Sequence, residues 1–206
     1  MNRKGRKGMK PGIRLALLGP DGTFTAEAGM DYIKRRGISA EIKWYRKIED
    51  CFDAVEKQEA DRAMVPILNS TTTAAWINET LKKLRDNHVM IYDEYILPIR
   101  HHLAALPGAA TEGIRYVHSK DKAFQQCENS LSRLFKDVDF IYENSTAAAA
   151  QTVKGLNARD RAAVAPFRAV ELYGLEILEK DIQDDPRNKT RFIAVSYTHL
   201  TLPTKA

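Results

Sequence analysis

A hydroxyl, a guanidinium and an aromatic ring stand side by side in the segment Asn188-Lys189-Thr190-Arg191-Phe192. An arginine fork and a hydroxyl donor of this kind suit a dicarboxylate ligand, because both groups donate hydrogen bonds to oxygen anions. By itself the segment could equally be the start of an edge strand. It predicts chemistry only where other polar groups join it.

Four other polar segments each follow a short apolar run that is typical of a strand. They comprise residues 19–25, 69–73, 119–122 and 144–146. In sheets that are covered by helices, ligands bind where the carboxyl ends of strands meet the N-termini of helices. Together these segments predict an anion-binding site.

The first two of these segments also have purely structural interpretations. The turn at residues 19–23 lacks the G-x-G-x-x-G spacing and the lysine of a phosphate-binding loop, so it does not indicate nucleotide binding. Taken alone, it favours a structural turn. The hydroxyl and amide run at residues 69–73 could cap the helix that follows or could hold a ligand, and both interpretations remain open.

Two adjacent histidines, His101 and His102, form a candidate metal site that their spacing argues against. Neighbouring residues on a strand point to opposite faces, so both rings cannot easily bind one ion. No histidine or cysteine at a metal-binding spacing accompanies them. They are predicted to be structural, and no metal site is predicted.

The elements that must position these residues follow from an alternation of short apolar runs with helical patterns. The alternation predicts an α/β fold with parallel sheets that are covered on both faces. A segment at residues 103–111, which contains Pro107 and Gly108, predicts a change of lobe. Strands are predicted at residues 13–18, 42–45, 63–67, 88–99, 114–118, 140–142, 162–165 and 191–196, and helices at residues 23–36, 48–58, 76–84, 121–135, 146–154 and 167–173.

The composition argues against binding to nucleic acid. The chain has 206 residues, 44% hydrophobic and 29% charged, which is typical of a globular protein. Five of the 32 basic residues lie in the first ten positions, so the remainder carries 27 basic residues against 27 acidic ones. The basic excess is therefore confined to a tail, residues 1–12, that is predicted to be disordered, whereas nucleic-acid binding needs a basic face on the folded body.

The cysteines and the apolar runs indicate a cytoplasmic protein. Cys51 and Cys127 are far apart and lack a Cys-x-x-Cys spacing, which fits reduced thiols better than a disulfide or a zinc site. No apolar stretch approaches the ~20 residues of a membrane-spanning helix. No apolar segment follows the basic start of the chain, as it would in a secretion signal.

In their order and spacing, the polar segments resemble the catalytic domain of prephenate dehydratases. The resemblance extends over residues 13–195, which is nearly the whole chain. The motifs that carry it are Gly19-Pro20-Asp21-Gly22-Thr23-Phe24-Thr25, Val65-Pro66-Ile67-Leu68-Asn69-Ser70, residues 97–101, Ser119 with Gln126-Cys127, Ser145-Thr146-Ala147, Glu171-Leu172-Tyr173-Gly174-Leu175, Ile182-Gln183-Asp184 and residues 188–192.

The fold that this resemblance implies is an α/β fold with two lobes, similar to type II periplasmic binding proteins, with the active site in the cleft between the lobes. The first lobe would comprise residues 13–97 and 185–195, and the second residues 98–184, because the chain crosses over and returns. The last segment, residues 196–206, does not fit the family and resembles a translated sequencing-adapter scar. No match to the family's usual ACT-type regulatory domain is found in this sequence.

The activity that the resemblance implies is the decarboxylating dehydration of prephenate to phenylpyruvate, a step of phenylalanine biosynthesis that uses no metal or organic cofactor. The partner would be a small-molecule dicarboxylate, either prephenate or its amino analogue arogenate, and a homodimer is one open alternative for the oligomeric state. The implied catalytic residues are Thr190, Asn69, Ser119 and Gln126, and Thr190 would help the ring hydroxyl to leave. The implied substrate-binding residues are Gly22, Thr23, Ser70, Ser145, Thr146, Arg191 and Phe192.

Four positions depart from the family pattern. Leu68 replaces a glutamate, and Thr73 stands where a glycine is usual. Lys120 and Lys122 replace a histidine and a glutamine, which adds positive charge beside Ser119.

These departures leave two other functions open. One is a prephenate decarboxylase-like enzyme of a secondary-metabolite pathway, and the other is a non-catalytic homologue that binds a small molecule. The retained Thr190 favours dehydration over decarboxylation alone. The intact Asn69, Ser119 and Gln126 argue against a loss of catalysis.

Overall fold

The structure of the chain, a computed structural model, describes residues 12–71, 75–86 and 88–197. The predictions for the basic tail up to residue 11, for Thr72 and Thr73, and for the last segment from residue 198 onwards lie outside these residues.

Eleven strands and seven α-helices make up the described part of the chain, together with a 3-10 turn at Thr111–Gly113. The strands are β1 (Ile13–Leu18), β2 (Ala40–Tyr45), β3 (Arg62–Asn69), β4 (Ala75–Trp76), β5 (Val89–Pro98), β6 (His102–Ala105), β7 (Tyr116–Ser119), β8 (Asp139–Tyr142), β9 (Arg161–Ala165), β10 (Glu176–Glu179) and β11 (Lys189–Tyr197). The helices are α1 (Phe24–Arg36), α2 (Ile48–Glu56), α3 (Asn78–Asp86), α4 (Asp121–Gln126), α5 (Glu128–Leu134), α6 (Thr146–Leu156) and α7 (Phe167–Tyr173).

The first sheet combines strands from both ends of the described chain. Its order is β2-β1-β3-β11-β5, and the short β4 pairs with β3. β1 is parallel to β2 and β3, whereas β11 runs antiparallel to both of its neighbours. The last strand is therefore inserted between two strands of the N-terminal half.

The second sheet is formed entirely by the intervening part of the chain, in the order β10-β6-β9-β7-β8. The chain enters it after β5 and leaves it before β11, so two crossings join the two sheets. The predicted two-lobed α/β fold of the type II periplasmic-binding-protein kind is confirmed.

Each sheet carries an apolar core on both faces. In the first lobe, α2 packs on one face around Phe52, and α1 packs on the other around Tyr32. In the second lobe, α4 and α5 cover one face around Val117, and α6 and α7 cover the other around Val153. These side chains are almost inaccessible to water, so their burial supplies the main stabilisation.

The prediction of parallel sheets holds only for part of each sheet, because β1 is parallel to β2 and β3, and β7 to β8 and β9, whereas other pairings are antiparallel. β11 is antiparallel because the chain returns from the second lobe and enters the first sheet in the direction opposite to β3. β6 is antiparallel to β9 and β10. A change of lobe is predicted at residues 103–111, but this segment begins within the buried strand β6. β6 is rich in alanine, and its pairing on both sides overrides the weak strand propensity of these residues.

Two predicted helices also differ from the structure. The helix predicted at residues 121–135 is broken at Cys127, because the carboxylate of Asp184 accepts the backbone N–H groups of Asn129 and Ser130 and so starts α5 anew. Trp76 belongs to β4 rather than to α3, which begins at Asn78.

Side-chain caps fix the start of the two long helices that matter for the site. Thr23 caps α1 by accepting the N–H of Ala26 at 3.3 Å, and Ser145 caps α6 by accepting the N–H of Ala148 at 3.0 Å. None of the described helices combines the length and apolar character that crossing a membrane would require.

Candidate active site

A cleft of about 520 Å³ lies between the lobes. Both sheets contribute to it through the loops at the ends of their strands, as the sequence predicts. Its lining is formed by Leu18, Gly19, Thr23, Phe24, Thr25, Arg46, Pro66, Asn69, Ile77, Ile99, His101, Lys120, Lys122, Ala123, Gln126, Asn144, Ser145, Thr146, Thr190 and Phe192.

The start of β11 supplies the hydroxyl at the centre of the cleft. Thr190 and Phe192 both line the cleft and are buried, whereas Arg191 between them is exposed. This is the alternation of a strand, in which successive side chains point to opposite faces. Arg191 lies instead in a surface groove with Trp76 and 3.7 Å from Glu94.

The hydroxyl of Thr190 is held by the amide of Asn69. The two residues face each other across the β3–β11 ladder. The Nδ2 of Asn69 donates to Thr190 Oγ1 at 2.8 Å and to Asn188 Oδ1 at 3.2 Å. The N–H of Thr71 donates to Asn69 Oδ1 at 3.1 Å, which fixes the orientation of the amide.

The hydrogen bonds continue from Asn69 across the cleft into the second lobe. The hydroxyl of Thr71 donates to Asn69 Oδ1, and Gln126 Nε2 donates to Thr71 Oγ1 at 3.1 Å. Gln126 Oε1 in turn lies 2.9 Å from His101 Nε2. The ring of His101 packs edge-on against Phe24 of the first lobe, with centroids 5.0 Å apart.

The polarity of this chain of hydrogen bonds follows from the charge state of His101. Burial lowers the pKa of His101 to about 4, so the imidazole is neutral near pH 7. Because Gln126 presents its carbonyl oxygen, the proton of the neutral ring must be on Nε2. Every bond then points the same way, from His101 towards Thr190. Thr190 accepts from Asn69 and keeps its own O–H to donate into the cleft.

Two helix N-termini also face the cleft. Thr23 and Thr25 at the start of α1 line it from the first lobe, and Ser145 and Thr146 at the start of α6 line it from the second. The first amides of a helix have no acceptor within the helix and carry a partial positive charge. The cleft therefore favours an anion from both sides.

Three cationic side chains add to the positive charge of the helix N-termini. Arg46 follows β2 in the first lobe, while Lys120 and Lys122 stand at the start of α4 in the second. Among the described residues that line the cleft, none is an aspartate or a glutamate. The lining is therefore positive, which suits a ligand with more than one carboxylate.

Four residues that the sequence associates with the site do not line the cleft. The hydroxyl of Ser119 is completely buried and donates to the backbone oxygen of Val164 at 2.7 Å. Ser70 accepts the N–H of Lys189 at 2.9 Å and so ties the end of β3 to the start of β11. Arg191, as described above, lies on the far face of β11.

The fourth of these residues, Gly22, lies where the lobes touch. Its φ of +86° is one that favours glycine. A Cβ there would lie 3.3 Å from the Cβ of Ala147 and 3.4 Å from the Cα of Ala169, both in the second lobe. Gly22 thus allows the close approach of the lobes rather than contacting the cleft. The bidentate ion pair of Asp21 with Arg168, at 2.8 and 3.0 Å, clamps the same contact.

Glu27 of α1 is a partly buried residue at the same contact between the lobes, beside Arg168. Its Oε2 has no hydrogen-bond partner, and burial raises its pKa to about 7. The raised pKa means that folding loses stability as the pH rises from about 4.5 through about 7. We expect Glu27→Gln to be more stable than the parent at pH 8, by at most about 3 kcal/mol, with no difference below pH ~4.

Urea unfolding at a series of pH values measures this difference. Glu112→Gln, at an exposed position, is the matched control and should leave the pH dependence unchanged. A stability difference for Glu27→Gln that is the same at every pH would contradict the assignment.

Sequence reasoning missed several residues of the cleft. Arg46, which directly follows β2, was not identified. Phe24 and Asn144 lie in the segments 19–25 and 144–146 that predict the site, but neither was named as a site residue. His101 was assigned a structural role, yet it lines the cleft. Its neighbour His102 points elsewhere and accepts the N–H of Asp181 at 3.3 Å. In the described part of the chain, no group of three or more His, Cys, Asp or Glu residues is placed to hold a metal ion.

The two lobes, with a positive and hydroxyl-lined cleft between them, define a class of two-lobed α/β protein. The family model described as prephenate dehydratase matches residues 15–199, and the chain belongs to that family.

Similar proteins carry related names. A bifunctional chorismate mutase/prephenate dehydratase of Neisseria gonorrhoeae is 35% identical over 185 residues, which are 90% of this chain and 50% of the relative. Arogenate dehydratase 3 of Arabidopsis thaliana is 38% identical over 185 residues, which are 89% of this chain and 42% of the relative. The chain thus spans half or less of the length of these curated relatives.

A solved structure supports the same relationship. The prephenate dehydratase of Arthrobacter aurescens in complex with L-Phe aligns with a TM-score of 0.79 and 28% identity. The alignment covers 94% of this chain and 63% of that one.

Proposed function

We propose that the chain catalyses the decarboxylating dehydration of prephenate to phenylpyruvate, in phenylalanine biosynthesis. The observation that carries the proposal is the O–H of Thr190, which the hydrogen bond from Asn69 leaves free to donate into the cleft. Membership of the prephenate dehydratase family supports the choice of reaction.

The chemistry requires one donor at the leaving hydroxyl. The ring carboxylate leaves as carbon dioxide, its electron pair enters the ring, and the C–O bond to the hydroxyl breaks. The departing hydroxide takes up one proton, so the prephenate dianion and a proton give the phenylpyruvate anion, carbon dioxide and water. A threonine hydroxyl is a poor acid, so Thr190 stabilises the departing oxygen by hydrogen bonding and relays a proton from water.

Other side chains bind and orient the dianion. Asn69 and Gln126 belong to the chain of hydrogen bonds that sets the direction of the Thr190 donor. Thr23, Ser145 and Thr146, at the starts of α1 and α6, receive the carboxylates, while Phe192 contacts the ring. Ser70, Ser119 and Gly22 act indirectly, through the backbone segments that they hold in place.

We also propose the coarser properties that go with this activity. The enzyme is a carbon–oxygen lyase that acts in the cytoplasm, and the free, buried thiols of Cys51 and Cys127 support that compartment. The lobes comprise residues 13–97 with 185–195, and residues 98–184. The division of the strands between two separate sheets supports these bounds.

Product analysis tests the proposal. The purified chain is incubated with prephenate, and phenylpyruvate is measured by the absorbance of its enol in alkali. We expect this absorbance to grow with time. A non-aromatic dihydro product would indicate a decarboxylase instead, and saturable prephenate binding without turnover would indicate a binding protein.

A further inference from the structure

The charged groups of the cleft bear on the choice between prephenate and arogenate. The cleft's charged lining residues in the described chain are Arg46, Lys120 and Lys122, all of them cations. None of the ion pairs between described residues involves these three. Their charges are therefore not neutralised by a neighbouring carboxylate of the protein.

Three carboxylates are close in sequence to residues that line the cleft, but each of them contacts another group of the protein. Asp21 is bound by Arg168 at 2.8 Å. Glu143 contacts the ring of His118 at 3.2 Å. The carboxylate of Asp121 accepts a hydrogen bond from the Gln125 amide at 2.7 Å, and its side chain does not line the cleft. None of them is placed to receive a cation in the cleft.

The two candidate substrates differ at a single group. Prephenate carries two carboxylates and a ketone, whereas arogenate carries the same carboxylates with an ammonium in place of the ketone. An ammonium in a cleft needs an anionic or carbonyl acceptor to replace its water, and nearby cations disfavour it. A ketone oxygen only accepts hydrogen bonds, which lysine, arginine and helix amides donate.

We propose that Arg46, Lys120 and Lys122 make the cleft selective for the keto dianion prephenate over the amino acid arogenate. The inference rests on the proposed function, since it assigns the substrate of the same site. The positive N-termini of α1 and α6 act in the same direction, because both face the cleft.

Kinetic constants for both substrates test the selectivity. Each unit of charge a few Å from the ammonium, at a site open to water, changes the preference by about fivefold. With three cations, we expect kcat/KM to be at least roughly tenfold higher for prephenate than for arogenate. We expect this ratio to fall as salt is added, because the charges are exposed.

Charge variants identify the residues responsible. Lys122→Glu changes the local charge by two and should lower the prephenate-to-arogenate ratio by roughly twentyfold. Lys122→Gln should lower it by about fivefold, and so should Arg46→Gln and Lys120→Gln. Lys136→Glu, an exposed lysine of the same lobe outside the cleft, is the matched control and should leave the ratio unchanged.

The outcomes separate the inference from the proposed function. Equal or better use of arogenate by the parent chain overturns the inference but leaves the dehydratase function standing, and so does a ratio that none of the cleft variants changes. Turnover of neither substrate overturns the proposed function. In that case the dissociation constants of prephenate and arogenate are measured by calorimetry on the same variants. The selectivity then predicts the same preference for prephenate and the same changes in that preference.

Discussion

Replacing Thr190 with valine is expected to lower kcat for prephenate by about a hundred- to a thousandfold, the usual cost of removing one donor to a developing oxyanion. Valine has nearly the shape of threonine and favours a strand, so β11 should keep its pairing with β3 and β5. The substitution removes the O–H that the proposed mechanism assigns to the leaving group. KM should change little, because the donor acts mainly on the transition state.

Thr190→Ser is the matched control. It keeps the hydroxyl within reach of the Asn69 amide while removing a methyl group, so most of the activity should remain. Steady-state kinetics and thermal unfolding are measured on both variants. A valine variant whose kcat stays within about threefold of the parent would exclude a catalytic role for the hydroxyl.

The strand β11 illustrates how far the sequence leads and where it stops. The motif at residues 188–192 singles out the segment, but it does not say which of its side chains face the cleft. Thr190 and Arg191 are adjacent, so on a strand only one of them can face it. The same alternation was used to argue that His101 and His102 point to opposite faces. Applied to Thr190 and Arg191, it would have placed Arg191 outside the cleft.

Cleft residues that belong to no motif could be predicted only from their position in the fold. Arg46 carries no signal of its own, but it directly follows β2, and the carboxyl ends of parallel strands are where ligands bind. Ser119 has the opposite problem. Its position in a motif predicts a role in the site, yet the hydroxyl bonds to the β9 backbone, and that partner depends on a sheet whose order is not visible in the sequence.

The alternation of strands and helices predicted an α/β fold, and the family resemblance implied its two lobes, but neither gave the direction of every strand. β6 and β10 are short, and the pairing of β6 with both β10 and β9 stabilises them more than their own residues do. The antiparallel insertion of β11 joins residues more than a hundred positions apart, such as Thr190 and Asn69. Local patterns carry no information on such contacts, and the hydrogen bond between Asn69 and Thr190 depends on one of them.

The direction of the hydrogen bonds in the cleft makes a second strong prediction, for Asn69→Asp. The new side chain has the same shape, but a carboxylate oxygen replaces the amide donor that now points at Thr190. Thr190 must then donate its proton to the carboxylate, so its O–H turns away from the substrate. We expect kcat to fall by about a hundredfold or more, close to the effect of Thr190→Val.

Asn69→Ala distinguishes the reversal of the hydrogen bond to Thr190 from the simple loss of that hydrogen bond. Without a partner the Thr190 hydroxyl can still rotate towards the substrate, so the alanine variant should keep a higher kcat than the aspartate variant. The introduced carboxylate also repels the dianion, and we expect this repulsion to raise KM rather than to lower kcat.

Lowering the pH should restore part of the kcat of Asn69→Asp but not of Asn69→Ala, because a protonated carboxyl can again donate to Thr190. Rates of both variants across the acidic range measure this recovery. If the aspartate variant is the more active of the two at neutral pH, the hydrogen bonds do not run from His101 to Thr190, and the threonine reaches the leaving group in some other way.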